Sequence, residues 1–290
     1  MNGLIKIEAK SRMLGKTAAC FVGSFTVLVL GAALVAAAVF GIYALTERDF
    51  FEKYIEAVGG LPANLTVIAA FAVIRFLVLV SLCALHLGES AYYINICETG
   101  TPCFSQLFSY CKPKKAFRAF RLYAELFALK TAWFLFFITP ALLCGASAFF
   151  TVYRSAAFGV PAYILTLAAV SLTVMGIMFF YCISRRYRLC SYIAVKNEEL
   201  NAREIIRQSV EITDGSLADA ALFGFSMAGW RLLSLLPFSF IYALPYCKIA
   251  YAQFNNAVHD NETVKKAYTK ARAAEFRRHF PRQAEAPAKE

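Results

Sequence analysis

Charged residues are scarce in this 290-residue chain, because Asp, Glu, Lys and Arg together make up only 17% of it. An average soluble domain carries about 25% charged and about 45–50% apolar residues, whereas the apolar share here is 59%. A water-facing globule of this size cannot bury such a surplus, so an ordinary soluble domain is excluded. The composition indicates a lipid bilayer as the solvent.

Catalytic and metal-binding patterns are also missing. The nine cysteines form no C-x-x-C pair, so they predict neither a zinc site nor a disulfide framework. The sequence has no Ser/His/Asp constellation, no glycine-rich phosphate loop and no paired carboxylates within its apolar runs. We therefore predict a protein that is not an enzyme and that binds no cofactor or metal.

Basic residues outnumber acidic ones, which gives a net charge of +11. Such a charge is typical of nucleic-acid binding or of loops that face an anionic membrane surface. No nucleic-acid motif accompanies the basic residues, and they cluster in the breaks between apolar runs. We therefore expect the lipid bilayer and its anionic inner leaflet as partners, and no nucleic acid.

Long apolar runs are what the chain has in abundance. A membrane span needs about 20 apolar residues, and the uncharged run from Thr17 to Thr46 exceeds that length. A signal peptide has a shorter apolar region, of about 7–15 residues, so this run is interpreted as an uncleaved first span. We predict an all-α, polytopic helical membrane bundle in residues 1–258, with six transmembrane helices at about 18–45, 65–87, 125–150, 161–183, 217–235 and 238–256.

The last two spans and the orientation depend on charge. Residues 217–254 fit either one long span with an interfacial tail or a hairpin that turns near Leu236. Lys and Arg concentrate in the N-terminus, in the second and fourth loops and in the tail 259–290, so these segments are expected in the cytoplasm. An even number of spans follows, with both termini cytoplasmic and with Trp230 and Arg231 at the outer interface. The tail is predicted to be partly disordered, and either attached to the membrane surface or solvated.

Two short amphipathic helices are predicted on the cytoplasmic side. One begins near Thr101 and Pro102, where a cap precedes a proline suited to the first helical turn. The other begins at Asn201, whose side chain can cap the helix while Glu204 bonds back, and it ends at Gly215.

Arg75 is the most informative polar residue, because it lies in the middle of the second predicted span. A base at the bilayer centre costs about 2.5–3.5 kcal/mol and usually faces the bundle interior. Pro140 cannot donate to the Phe136 carbonyl, which leaves an acceptor at a similar depth. Our hypothesis is a tether between Arg75 and the Phe136 carbonyl. The alternatives are a ligand-binding site for a substrate or anion, and snorkelling to the headgroups.

Cys83, His86 and Glu89 recur every three residues at the inner end of the same span. Such a polar cluster could hold a metal ion or relay protons. Three ligands on one helix, without a second cluster, do not make a metal site, so contact between His86, Glu89 and the headgroups is the favoured interpretation.

Short elements in a fixed order carry a family resemblance: LGESAYY at 87–93, GTP at 100–102, QLF at 106–108, YRL at 187–189, YI at 192–193, ARE at 202–204, FS at 225–226, GW at 229–230, LPY at 244–246 and AQF at 252–254. In this order the chain resembles the uncharacterised bacterial integral membrane family called domain of unknown function 975. It departs from that family at residues 235–239, where glycines are usual. The resemblance implies several spans and a bacterial plasma membrane, and it supplies no activity, substrate or catalytic residue.

Two functions are consistent with these features. The first is a non-enzymatic scaffold, regulator or envelope-assembly component that contacts other membrane proteins, whose identity the sequence does not give. The alternative is a transporter or small channel for a solute or lipid-like ligand, with Arg75 near a midplane site.

Overall fold

The computed structural model describes residues 2–46, 60–155, 159–236 and 238–279, and every regular element in these ranges is helical. The helices are α1 (Asn2–Met13), α2 (Thr17–Thr46), α3 (Gly60–Thr99), α4 (Pro113–Ser155), α5 (Val160–Ser184), α6 (Cys190–Lys196), α7 (Ala202–Asp214), α8 (Leu217–Ser226), α9 (Ala228–Leu233) and α10 (Phe240–His279). Single 3₁₀ turns occupy Phe104–Phe108 and Arg185–Tyr187. The all-α fold class is confirmed.

Four helices are long and apolar enough to cross a membrane. The segments are Thr17–Gly41, Ala69–Thr99, Pro113–Arg154 and Val160–Lys196, the last of which extends beyond α5 into α6. They overlap the first four predicted spans, although the last three extend beyond the predicted bounds, and each exceeds the about 20 residues that a bilayer requires. Their outer surfaces expose large apolar side chains, for example Leu77, Phe149 and Ile164. This exposure suits contact with lipid, so the fold is a helical membrane bundle.

The apolar segment that begins at Leu217 forms two short helices instead of one span. Helices α8 and α9 contain 10 and 6 residues, because the α-helix is interrupted at Met227. Helix α10 then runs back along them, with the ring centroids of Trp230 and Tyr246 4.7 Å apart. A hairpin therefore forms where the sequence predicted a turn. Neither α8 nor α9 alone reaches the length of a span, and the fifth and sixth spans stay a prediction.

The long helices pack as two hairpins, α2 with α3 and α4 with α5. Helices α4 and α5 approach closely at Gly176, where an added Cβ would lie only 2.7 Å from the Phe137 carbonyl oxygen. A small residue at this point lets the two backbones come together. Helix α3 contacts α4 near the start of α4, where the ring centroids of Phe76 and Phe120 lie 5.0 Å apart.

The buried core lies at one end of these hairpins. Fully buried side chains there come from α3, α4, α6, α7 and α10, and they include Tyr92, Leu122, Ile193, Ile205 and Ile249. Helix α1 also contributes buried side chains to this core. Burial of apolar surface, at about 25 cal/mol per Å², therefore holds the short helices against the ends of the long ones.

Local signals set the bounds of the short elements. The Asn201 N–H donates to Glu204 Oε2 at 3.0 Å, and α7 ends at Asp214 with Gly215 as its C-cap residue, so the predicted capped helix is confirmed. The other predicted helix is shorter than expected, because only Phe104–Phe108 is helical and it is a 3₁₀ turn. This turn packs directly on α3, where a Cβ at Gly88 would overlap the Leu107 carbonyl oxygen.

Candidate functional site

A cavity of about 1140 Å³ lies where the two hairpins meet the buried core. Its walls come from α3, α4, the end of α5, the adjoining 3₁₀ turn, α6 and α10, and the Arg231 side chain of α9 completes it. Ligand pockets usually measure about 300–1,000 Å³. The space is therefore large enough for a small molecule or for the headgroup of a lipid.

The cavity wall is strongly cationic. Among the residues that the structure describes, five basic side chains line it, against one carboxylate, that of Glu89. The five are Lys130, Arg185, Arg188, Arg231 and Lys248. Like charges at the edge of an apolar bundle raise the free energy of the empty site, and they concentrate the field on any anion that enters.

Arg188 is the most enclosed of these cations. Its guanidinium carbon lies 3.5 Å from the centroid of the Tyr251 ring and 5.4 Å from that of Phe254. Both terminal nitrogens are buried and have no hydrogen-bond partner among the residues that the structure describes. A buried donor without an acceptor costs about 1–3 kcal/mol, and more when it is charged. The stacked aromatic rings hold the plane of the group and leave its edge donors unused.

Arg231 stacks on the same tyrosine. Its guanidinium carbon lies 4.7 Å from the Tyr251 centroid, so Arg188 and Arg231 share one aromatic ring. Because the bilayer core is about 30 Å thick, two groups on one ring cannot lie at opposite interfaces. The prediction that Arg231 lies on the side opposite the basic loops is therefore wrong.

Glu89 is buried in a polar network that joins three helices. It is only 6% exposed, and Lys248 Nζ of α10 donates to its Oε2 at 2.8 Å. The Ser24 hydroxyl of α2 donates to Oε1 at 3.0 Å and lies 2.6 Å from the Tyr93 hydroxyl. His86 Nδ1 stands 3.5 Å from the same carboxylate. The expectation that Glu89 contacts lipid headgroups is wrong, because Glu89 is buried and forms an ion pair with Lys248 inside the bundle.

Cys83, His86 and Glu89 all line the cavity, so the sequence placed them correctly on one face. Within the described ranges, no group of three His, Cys, Asp or Glu side chains is arranged to hold a metal ion. The Glu89 carboxylate is instead engaged by Lys248. The three residues line one side of the cationic cavity, and the Cys83 thiol, which is half-buried, is part of that lining.

The structure does not bring Arg75, Phe136 and Pro140 together. Arg75 is exposed and does not line the cavity. Its neighbour Phe76 contacts Phe120, which precedes Phe136 by about 24 Å along α4 at about 1.5 Å per residue. The hypothesised tether therefore does not form. Phe136 is 67% exposed, and Pro140 lies inside α4 on an exposed face. A ligand-binding role for Arg75 stays a prediction.

Sequence reasoning missed Lys248 and Arg188. Lys248 is the only charged residue between Arg231 and Asp260, and an ionisable side chain in such an apolar run is a known sign of function. Arg188 was hidden among the basic residues of a loop. Only the fold shows that Tyr251, which is distant in sequence, covers its guanidinium.

Long apolar helices around a charged cavity define a polytopic helical membrane protein. The chain belongs to the family described as protein of unknown function (DUF975), whose model matches residues 3–262. The resemblance noted in the sequence is thereby confirmed over most of the chain. No curated protein and no solved structure shows significant similarity to it.

Proposed function

We propose that the chain is a non-enzymatic membrane protein that binds an anionic ligand in this cavity, as a transporter or carrier does. One observation carries the proposal: the two terminal nitrogens of Arg188 are buried without an acceptor in the described part of the chain, in the wall of a cavity with five basic side chains. An anion supplies the missing acceptors through charge-assisted hydrogen bonds. The proposed site replaces a midplane site at Arg75.

The ion pair between Glu89 and Lys248 supports a binding role in a second way. Lys248 is only partly engaged, because 35% of its side chain is exposed and it lines the cavity. An anion can therefore share Lys248 with Glu89. A scaffold function requires a contact surface that differs from the lipid-facing one, and large apolar side chains such as Leu77, Phe149 and Ile164 dominate the exposed middle of the long helices, as lipid also requires.

The location is part of the same proposal. We place the protein in a bacterial plasma membrane, with both termini and the basic loops on the cytoplasmic side. Four spans keep the two termini on one side just as six spans do. The cationic cavity then opens near the anionic inner leaflet.

Ligand protection of Cys83 tests the proposal. Cys83 lines the cavity, and Cys144 of α4 is half-buried outside it, so the pair reports on the cavity alone. The purified protein is treated with a cysteine-alkylating reagent in a non-ionic detergent. Each reaction contains one added compound: octanoate, octyl sulfate, octyl phosphate or octyltrimethylammonium. Peptide mass spectrometry then gives the rate at each cysteine.

We expect the three anions to slow alkylation of Cys83 and to leave Cys144 unchanged. The cation should have no effect at either position, because the cavity wall repels it. Equal protection by the cation, or no protection by any anion in a protein that keeps its helical circular dichroism, would show that the cavity does not select anions.

A further inference from the structure

The cavity is polar at one end and apolar at the other. Leu79 of α3 and Phe127 of α4 belong to its lining, and they are also 52% and 73% exposed. Both helices are candidate membrane spans. The apolar end of the cavity is therefore continuous with the surface that these helices present to lipid.

The cationic end lies against the buried core. Arg188 stacks on Tyr251 and Phe254, and Phe254 is almost completely buried. Tyr92 on α3 and Leu122 on α4 are fully buried, although each lies less than four helical turns from the exposed Leu79 or Phe127 of its own helix. The cavity thus spans the boundary between a lipid-facing belt and a protein core. A molecule with a charged head and an apolar tail matches this boundary.

The charge balance favours phosphate over a carboxylate. Within the described residues, no carboxylate pairs with Lys130, Arg185, Arg188 or Arg231. A carboxylate brings one negative charge, whereas a phosphate monoester brings about 1.5 to 2 charges and three acceptor oxygens. Arginine presents two parallel N–H donors that fit two phosphate oxygens.

We infer that the cavity binds a lipid with a phosphate headgroup, whose phosphate lies at Arg188 and Arg231 and whose acyl chain leaves between α3 and α4 past Leu79 and Phe127. This inference rests on the proposed function, and it adds the headgroup and the tail. The tail lies against apolar side chains, and each buried CH₂ group favours binding by about 0.8 kcal/mol. The headgroup supplies the hydrogen-bond acceptors that the terminal nitrogens of Arg188 lack among the described residues.

Two comparisons of probe molecules test the two parts. In a non-ionic detergent, the affinity of octyl phosphate is compared with that of octanoate, which has the same chain length and a different head. It is also compared with that of inorganic phosphate, which has no tail. We expect octyl phosphate to bind about tenfold more tightly than octanoate, since one more charge-assisted contact is made. Inorganic phosphate should bind more than about tenfold more weakly than octyl phosphate.

The outcomes separate this inference from the proposed function. Equal affinities for octanoate and octyl phosphate would overturn phosphate recognition and leave anion binding standing. Equal affinities for inorganic and octyl phosphate would identify soluble phosphate as the source and overturn the lipid. Failure of all these anions would end both proposals.

Three variants locate the phosphate. Arg188→Gln should weaken octyl phosphate binding about tenfold, and Lys130→Gln about fivefold, since one nearby base is lost. Lys130 lies on another helix, so this second variant keeps the test valid if loss of the Arg188 stacking unfolds the protein. Arg186→Gln is the matched control, because Arg186 pairs with Asp214 at 2.5 Å and does not line the cavity. Unchanged affinity in both folded cavity variants would overturn the inference.

Discussion

The ion pair between Glu89 and Lys248 can be broken from either side, and the two substitutions should not cost the same. Lys248→Met leaves a carboxylate that is 6% exposed, with the Ser24 hydroxyl and His86 as its remaining partners. Removing one partner of a buried pair costs about 3–5 kcal/mol. We expect Lys248→Met to lower the free energy of unfolding by about 3 kcal/mol, the lower limit of that range, because the two remaining partners still stabilise the carboxylate.

Glu89→Gln leaves the opposite charge unpaired, and the expected loss is smaller. The Lys248 side chain is 35% exposed and lines the cavity, so its ammonium group can turn towards water. It then stands among four other basic side chains, which repel it. We expect a loss of about 1–2 kcal/mol in unfolding free energy, from the lost charged hydrogen bond and this repulsion.

A double-mutant cycle measures the coupling directly. The combined Glu89→Gln and Lys248→Met variant should lose about 1–3 kcal/mol less than the two single losses predict. Unfolding in a non-ionic detergent, followed by circular dichroism, gives the values. Lys115→Met is the control: its pair with Glu198 is of similar length, at 2.6 Å, but exposed, and should contribute about 0–1 kcal/mol. If the single losses add to within about 0.5 kcal/mol, the reasoning fails.

Three further predictions concern packing, capping and topology. Gly88→Ala should destabilise the fold by about 1–3 kcal/mol, because the added Cβ would overlap the Leu107 carbonyl oxygen. Gly41→Ala is the control, because the added Cβ there has open space. Equal melting temperatures for the two variants would contradict this prediction. Asn201→Ala should cost about 1 kcal/mol by loss of the α7 cap, measured by thermal unfolding, and a change near zero would contradict it. Ser234→Cys should not react with a membrane-impermeant maleimide from outside intact cells, because Ser234 lies beside Arg231 on the side of the basic loops; labelling from outside would contradict this.

The sequence was sufficient for the four long helices, because uninterrupted apolar length predicts a span without knowledge of packing. The cap of α7 was equally accessible, since Asn201 and Glu204 interact within one helical turn. Arg75 shows the limit of such reasoning. The position of Arg75 within its apolar segment indicates how deep it lies in the membrane. The direction of its side chain, however, depends on where α3 crosses α4, and that crossing lies near Phe120.

The cavity itself was not predictable, because its parts lie far apart in the chain. Glu89 and Lys248 are separated by 159 positions, and Arg188 meets its aromatic partner on another helix. Each base looked like an ordinary loop or interface residue on its own. The packing of α10 against α3 brings Lys248 and Glu89 together in one site.

Helix α3 is longer than the membrane that it enters. Its 40 residues extend about 60 Å, roughly twice the thickness of a hydrocarbon core. The half nearer the start of the helix exposes Val73 and Leu77, whereas the other half carries Tyr92 and Ile96 into the buried protein core. An unbroken helix is a stiff rod, so a tilt forced on it by a thinner or thicker bilayer also moves its Thr99 end. We therefore expect the buried core at the Thr99 end to shift when the membrane thickness changes.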